Sequence, residues 1–234
     1  MLILAFETSA KACSVALMKD GILLGEAYQN SGLTHSQTLL PMAQTLMQQC
    51  NITAQEITAV AVAAGPGSFT GIRIGVAAAK GFAWGSQLPC CGVSTLEAMA
   101  LHLGIYQGYV LSVMDARRQQ VYTALFHAER GKLSRVTPDR AISIEDLAQE
   151  IKNLNERVFL VGDGSNLCYN CLKEEIPGLV LPAEHMRHQR ASGVALAAEE
   201  MLKSGVSCDG ATLTPNYLRV SQAERERMAR EKKE

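Results

Sequence analysis

One arrangement in this sequence restricts the fold more than any other. The same order of strand, polar turn, strand, turn and strand occurs twice, at 2–28 and at 109–136. In the first copy Leu2-Ile3-Leu4-Ala5-Phe6 is an uninterrupted apolar run, the pattern of a strand buried on both faces. Glu7–Lys11 is a small polar turn, Cys13–Met18 a second strand, and Lys19-Asp20-Gly21 a hairpin turn into a third strand at Ile22–Tyr28. In the second copy Tyr109–Met114, the polar turn Asp115–Gln120 and the returning strand Val121–His127 follow the same plan, and Arg130-Gly131-Lys132 turns into the third strand. The pattern predicts a duplicated α/β architecture with a mixed sheet in each half.

The segments between support two packed lobes. Leu39, Leu40, Met42, Ala43, Leu46 and Met47 recur at helical spacing after a capping Thr34-His35-Ser36, which predicts a helix over 34–50 with Pro41 near its first turn. Ile57–Ala64 reads as a buried strand running into Gly65-Pro66-Gly67-Ser68-Phe69-Thr70-Gly71, and a helix rich in small residues follows to Gly85. Pro89–Val93 is a short strand, and Ser94 or Thr95 caps the next helix with Glu97 in its first turn. Later come a helix at Ile144–Asn153, a strand at Val158–Val161 ending in the loop Gly162–Asn166, and a helix at Ser192–Lys203. No stretch rich in Pro, Gly or Ser marks a long linker. The lobes are expected at 1–105, completed by the helix near 192–203, and at 106–220, with a charge-alternating tail at 221–234.

Composition limits the classes of function. The 22 Lys and Arg against 23 Asp and Glu give a net charge of −1, which argues against a strongly basic surface and tight autonomous binding to nucleic acid. With 47% hydrophobic and 19% charged residues a core can form. The start carries no basic segment before its apolar run, and no window approaches 18 apolar residues, so a cytoplasmic chain with no membrane span and reduced cysteines is expected.

Three turns could carry chemistry. Glu7-Thr8-Ser9 could hold a phosphate on hydroxyls and backbone N–H groups. A phosphate hairpin, however, wants an aspartate for a metal and a glycine where the phosphate approaches, and Glu7 and Ser9 stand there instead; an ordinary tight turn fits equally well. Gly65–Gly75 holds four glycines in eleven residues. It could be an anion site at a helix N-terminus, assisted by Ser68, Thr70 and Arg73, or a sharp turn leading to a closely packed helix, and contact with a second copy or a partner is the favoured reading. No Gly-Lys-Ser/Thr follows, so it is no Walker loop. Gly162-Asp163-Gly164 follows a strand, where an α/β crevice accepts a nucleoside, though such a loop is more often only a turn. His185 and His188 lack a third ligand, Cys168-Tyr169-Asn170-Cys171 lacks a second pair, and Ser68 is not centred in a nucleophile elbow. The residues thus predict no metal and no catalytic set.

Phe6-Glu7-Thr8-Ser9 with Cys13-Ser14-Val15-Ala16, His35-Ser36 with Leu39-Leu40-Pro41, and Gly65–Gly75 together resemble a known family. Gly92-Val93-Ser94-Thr95-Leu96, Asp115-Ala116-Arg117 with Val121-Tyr122, and Tyr217-Leu218-Arg219 continue the likeness over essentially the whole chain. The sequence resembles the TsaB (YeaZ) family of bacterial tRNA threonylcarbamoyladenosine biosynthesis.

The resemblance implies an actin-like, sugar-kinase-like (ASKHA) fold of two lobes. It implies a non-catalytic subunit that activates a TsaD-like transferase, together with a TsaE-like ATPase, in modifying the adenosine 3′ of the tRNA anticodon. Contact with tRNA would be indirect. No intrinsic cofactor is implied, ATP or ADP entering only in complex with the partners, so Glu7, Thr8, Ser9, Gly162 and Gly164 would be a degenerate nucleotide site. The helices at 34–50 and 71–85 would form a surface shared by homodimer and heterodimer, with Leu39, Ala43, Met47, Ile74, Ala78 and Phe82 as contacts. A small-molecule kinase or nucleotide hydrolase of the same fold is the main rival, and a metalloprotease a more distant one.

Overall fold

The structure, a computed structural model, describes residues 1–219. The tail expected at 221–234 lies outside the described residues. The first sheet contains β1 (Leu2–Glu7), β2 (Cys13–Lys19), β3 (Ile22–Gln29), β4 (Ala59–Gly65) and β5 (Cys90–Ser94), in the order β3-β2-β1-β4-β5. The hairpin strands β1, β2 and β3 pair antiparallel, whereas β1, β4 and β5 run parallel.

Side-chain parity divides the central strands between two cores. Leu4, Phe6, Val15, Leu17, Val60 and Val62 point to one face, under α1 (His35–Gln49) and α2 (Phe69–Ser86). Ile3, Ala5, Ala16, Ala59, Ala61 and Ala63 point to the other, under α6 (Ala191–Lys203). That second face is rich in alanine, and α6 answers with Ala191, Ala195 and Ala198, so helix and sheet can approach closely. Glu26 of β3 fixes the start of α6. Its carboxylate accepts from Ser192 N (3.0 Å), Ser192 Oγ (2.9 Å), Ser14 Oγ (3.1 Å) and Arg190 (2.8 Å), placing a charge on the otherwise unpaired N–H groups of the helix.

The second sheet contains β6 (Gly108–Asp115), β7 (Gln120–Glu129), β8 (Lys132–Arg135), β9 (Arg140–Ser143), β10 (Val158–Val161) and β11 (Leu179–Val180). Its order is β11-β10-β6-β7-β8, with β9 also pairing β7. One face packs on α4 (Ile144–Ile151) and α5 (Ser165–Leu172). The other meets Leu96 and Met99 of α3 (Thr95–Leu101), so α3 is shared between the two halves. Both halves therefore open with an antiparallel hairpin joined to parallel strands.

Three details depart from the sequence reading. Pro41 is the seventh residue of α1, beyond its first turn, where it removes an interior helix hydrogen bond. Gly162–Asn166 is not a plain loop, because α5 begins at Ser165. Gly162 (φ +104°) and Gly164 lie where a Cβ would strike the Val113 and Met114 backbone, so they let the chain pass β6. The strand β9, unmarked in the sequence pattern, pairs with the start of β7.

Candidate functional site

The two hairpin turns face each other across a cleft of about 420 Å³ between the sheets. Ser9, Ala10 and Lys11 come from the β1–β2 turn, and Asp115, Ala116 and Arg117 from the β6–β7 turn. Pro66 to Phe69, Asp163 and the segment Asn216 to Arg219 complete the wall, with Tyr122 between.

The glycine-rich segment is docked onto the first turn. Ser68 N donates to Ser9 O (2.7 Å), Thr8 Oγ1 donates to Gly71 O (2.8 Å), and Ser68 Oγ caps α2 by accepting from Gly71 N (3.3 Å). A Cβ at Gly71 would fall on the Thr8 carbonyl, and one at Gly67 would lie 2.8 Å from Ser9 Cβ. A Cβ at Gly75 would strike Thr8 Oγ1, so Gly67, Gly71 and Gly75 serve close approach within the chain, which corrects the sequence reading of Gly75 as part of a contact with a second copy or a partner.

Glu7, Thr8 and Ser9 are fully buried. Glu7 Oε1 accepts from Ser9 N (2.6 Å), while Glu7 Oε2 and Ser9 Oγ have no hydrogen-bond partner among the described residues. Burial pushes the Glu7 carboxyl up to about 7, its contact with Ser9 opposing this and the charge of Asp163 adding slightly to it. Of the five residues considered for a nucleotide, Ser9 alone lines the cleft; Gly162 and Gly164 are buried against β6, and their neighbour Asp163 faces the opening. In the 7–9 turn Thr8 Oγ1 and Ser9 O hold the glycine-rich segment and Ser9 N is bound to Glu7, which leaves Ser9 Oγ, at the cleft, without a partner among the described residues.

The second turn is strained. Arg117, Arg118 and Gln119 have φ of 66°, 56° and 58°, three successive non-glycine residues in the left-handed region. Asp115 secures this turn, its Oδ1 accepting from Arg117 N (2.7 Å).

A C-terminal strap closes the side of the cleft. Lys80 of α2 donates to the carbonyls of Ala211 and Leu213 (both 3.0 Å), Asn216 N donates to Ala64 O (2.7 Å), and Arg219 donates to Ala116 O (2.8 Å) in the second half. Between these anchors Tyr217 stacks on Phe69 (4.7 Å between centroids) and accepts from Arg73 Nε (2.8 Å), whose guanidinium lies 3.8 Å over the Phe69 ring. The motif Tyr217-Leu218-Arg219 entered the sequence reading only through a resemblance; nothing in its spacing showed that it spans both halves.

The remaining candidates lie on α1 and α2. Leu39 and Ala43 are buried in the chain's own core and cannot form an outer contact, a correction to the sequence reading. Met47, Ile74, Ala78 and Phe82 are half-buried between the helices and the surface. The apolar side chains that do reach out are Leu40, 56% exposed, and Trp84, 69% exposed; the sequence reading placed Leu40 on the helix's apolar face and left Trp84 unmarked. Elsewhere, Cys168 is buried, which pushes its thiol up to about 12 and makes it a poor nucleophile. Among the described residues no three His, Cys, Asp or Glu side chains gather to share a metal ion, and no helix is long and apolar enough to cross a membrane.

Comparison with known proteins adds family evidence. Residues 29–227 match the family described as TsaD: tRNA N6-adenosine threonylcarbamoyltransferase. The chain is 32% identical to the tRNA threonylcarbamoyladenosine biosynthesis protein TsaB of Bacillus subtilis, over 96% of each chain. A Pseudomonas aeruginosa protein solved as one with similarity to peptidase YEAZ superposes with a TM-score of 0.78 at 28% identity, covering 93% of this chain and 99% of that one. At 15% identity, EutJ of Carboxydothermus hydrogenoformans (TM-score 0.52, 84% and 90% covered) shares the fold alone. The duplicated two-sheet arrangement is the actin-like, ASKHA fold.

Proposed function

This chain belongs to the TsaB family of tRNA threonylcarbamoyladenosine biosynthesis proteins, and on that premise we propose that it acts as a non-catalytic partner subunit. It binds and activates a TsaD-like transferase, with a TsaE-like ATPase, and forms a homodimer when alone. The observation that carries this reading is the outer surface of α1 and α2. Leu40 stands in solvent on the flank of α1 that carries the half-buried Met47; Ile74, Ala78 and Phe82 form a half-buried stripe along α2, and Trp84 stands in solvent on the other flank of α2, beside residues 207–211. Large exposed apolar side chains on adjacent helices favour burial against another protein, and roughly 800 Å² per partner suffices for specific pairing. Homodimer and heterodimer would compete for this face.

The rival kinase reading is disfavoured by the first hairpin turn, where Thr8 Oγ1 and Ser9 O hold the glycine-rich segment and Ser9 N is taken by Glu7, so few of its groups are left for a phosphate. On the partner reading, ATP or ADP belongs to the assembled complex, and no step of the chemistry is assigned to this chain.

Sedimentation of the chain with a TsaD-like transferase tests the reading. The wild type should form both assemblies, and Leu40→Arg and Ala78→Arg should lose both while keeping the far-ultraviolet circular dichroism of the wild type. Retention of both assemblies by folded variants, or modification of tRNA by the chain unaided, would overturn it.

A further inference from the structure

We propose that the mouth of the cleft is a contact for a single-stranded RNA segment. The inference uses the pathway substrate of the preceding reading but a different surface. A chain of net charge −1 brings four cations from four separate segments to one opening. Lys11 of the first turn, Arg117 of the second and Arg219 of the strap line the cleft, and Arg73 of α2 is bound to the lining residue Tyr217. Among the described residues, Lys11, Arg73 and Arg219 have no acidic side chain within 4 Å, and Arg117 has only Asp115 at 3.6 Å. Two acids share the opening. Asp115 is engaged with the backbone and side chain of Arg117, and Asp163 accepts from Gln189 (3.4 Å). Cations converging from different segments onto one concavity suit a ligand with several negative charges along its length.

The aromatic groups narrow the ligand. Tyr217, 40% exposed, is stacked on Phe69 with the Arg73 guanidinium behind it, and Tyr122 of β7 also lines the cleft. A braced aromatic platform flanked by cations is the arrangement that receives an unstacked base between phosphates. The phosphates fall to Lys11, Arg117 and Arg219 and the base to Tyr217, so the buried 7–9 turn takes no part. Three phosphate contacts make a weak site, consistent with the near-neutral chain, one that orients RNA held mainly by other subunits.

Fluorescence anisotropy of the full chain with a labelled tRNA transcript, and separately with a labelled ten-nucleotide oligoadenylate, tests this from about 50 to 200 mM salt. Lys11→Ala and Arg117→Ala should each lower the slope of log affinity against log salt by about 1. Tyr217→Ala should weaken both probes by about 5- to 150-fold, whereas Tyr217→Phe, which keeps the ring, should retain most of the binding. The proposal is overturned by unchanged slopes, by no binding of either probe at 50 mM salt, or by loss of binding only when residues 221–234 are removed. It is equally overturned if AMP displaces oligoadenylate at concentrations below the oligonucleotide's own dissociation constant, which would make the cleft a mononucleotide site. Lys11 and Arg117 lie off the α1–α2 face, so their variants should still assemble with the transferase. Loss of assembly in Leu40→Arg with RNA binding kept leaves this inference standing, and intact assembly with unchanged salt slopes removes it alone.

Discussion

Glycine-to-alanine exchange at two positions of α2 should give stability changes of opposite sign. At Gly81 nothing lies within 4 Å of an added Cβ, so alanine contributes only its helix preference, about 0.5–1 kcal/mol. At Gly71 the added atom would lie far inside 3.0 Å of the Thr8 carbonyl, a backbone atom of the central hairpin that cannot rotate away. Overpacking against such a wall costs about 1–3 kcal/mol, and the shift it forces also disturbs the Thr8–Gly71 hydrogen bond. Helix preference offsets little of this, because Gly71 is in the first turn of α2. The net for Gly71→Ala is a loss of about 2 kcal/mol. For a chain of this length, one kcal/mol moves the melting midpoint by about 2–4 °C. Thermal melts should therefore place Gly71→Ala about 4–8 °C below the wild type and Gly81→Ala about 1–4 °C above it. If Gly71→Ala melts as high as Gly81→Ala, the glycine-rich segment does not rest on the first hairpin turn as described, and the argument against a phosphate there fails with it.

Glu7 gives a pH signature. Its carboxyl ionises near 4.5 in the unfolded chain and near 7 in the folded one, so between those values the native state holds a proton that the unfolded state releases. Stability should then fall as pH rises through that window and level off above it; Glu7→Gln should abolish the slope and add up to something on the order of 3 kcal/mol at pH 8, read from urea midpoints at pH 4 and 8. A wild type whose Glu7-dependent stability rises over that range contradicts the burial argument. Glu26→Ala removes an 8% exposed carboxylate from Arg190 and from the start of α6, and should cost about 3 kcal/mol in chemical denaturation, with Glu26→Gln losing less than half of that. Equal losses for the two variants would show that the charge of Glu26, and not its hydrogen-bond acceptance, carries the effect.

The strands were legible because their environment is extreme. Leu2–Phe6 and Ala59–Ala64 are buried on both faces, and an unbroken apolar run admits few other readings. The start of α5 was hidden because Gly162 and Gly164 resemble loop glycines, although they are there for the Val113 and Met114 backbone, more than forty positions away in sequence. Leu39 and Ala43 fail as outer contacts for a related reason. Helical spacing marks Leu39 and Ala43 as one stripe, but the stripe a helix shows most clearly is the one its own core takes. Leu40, read from spacing alone as part of the same apolar face, is the large apolar side chain of α1 that stands in solvent. The cleft was half legible: both polar turns could be read, but that they face each other, and that residues 216–219 wall them in, depends on contacts between distant parts of the chain.

The alanine-lined face of the first sheet has a consequence for the order in which the protein is made. Its cover, α6, is encoded almost a hundred residues after β5 closes that sheet, so a nascent chain carries Ile3, Ala5 and Val93 without that helix until residues 191–203 have been made. The leading half therefore reaches its final form only once the ribosome has delivered residues 191–203, and a fragment ending at 105 would leave that apolar surface open to aggregation.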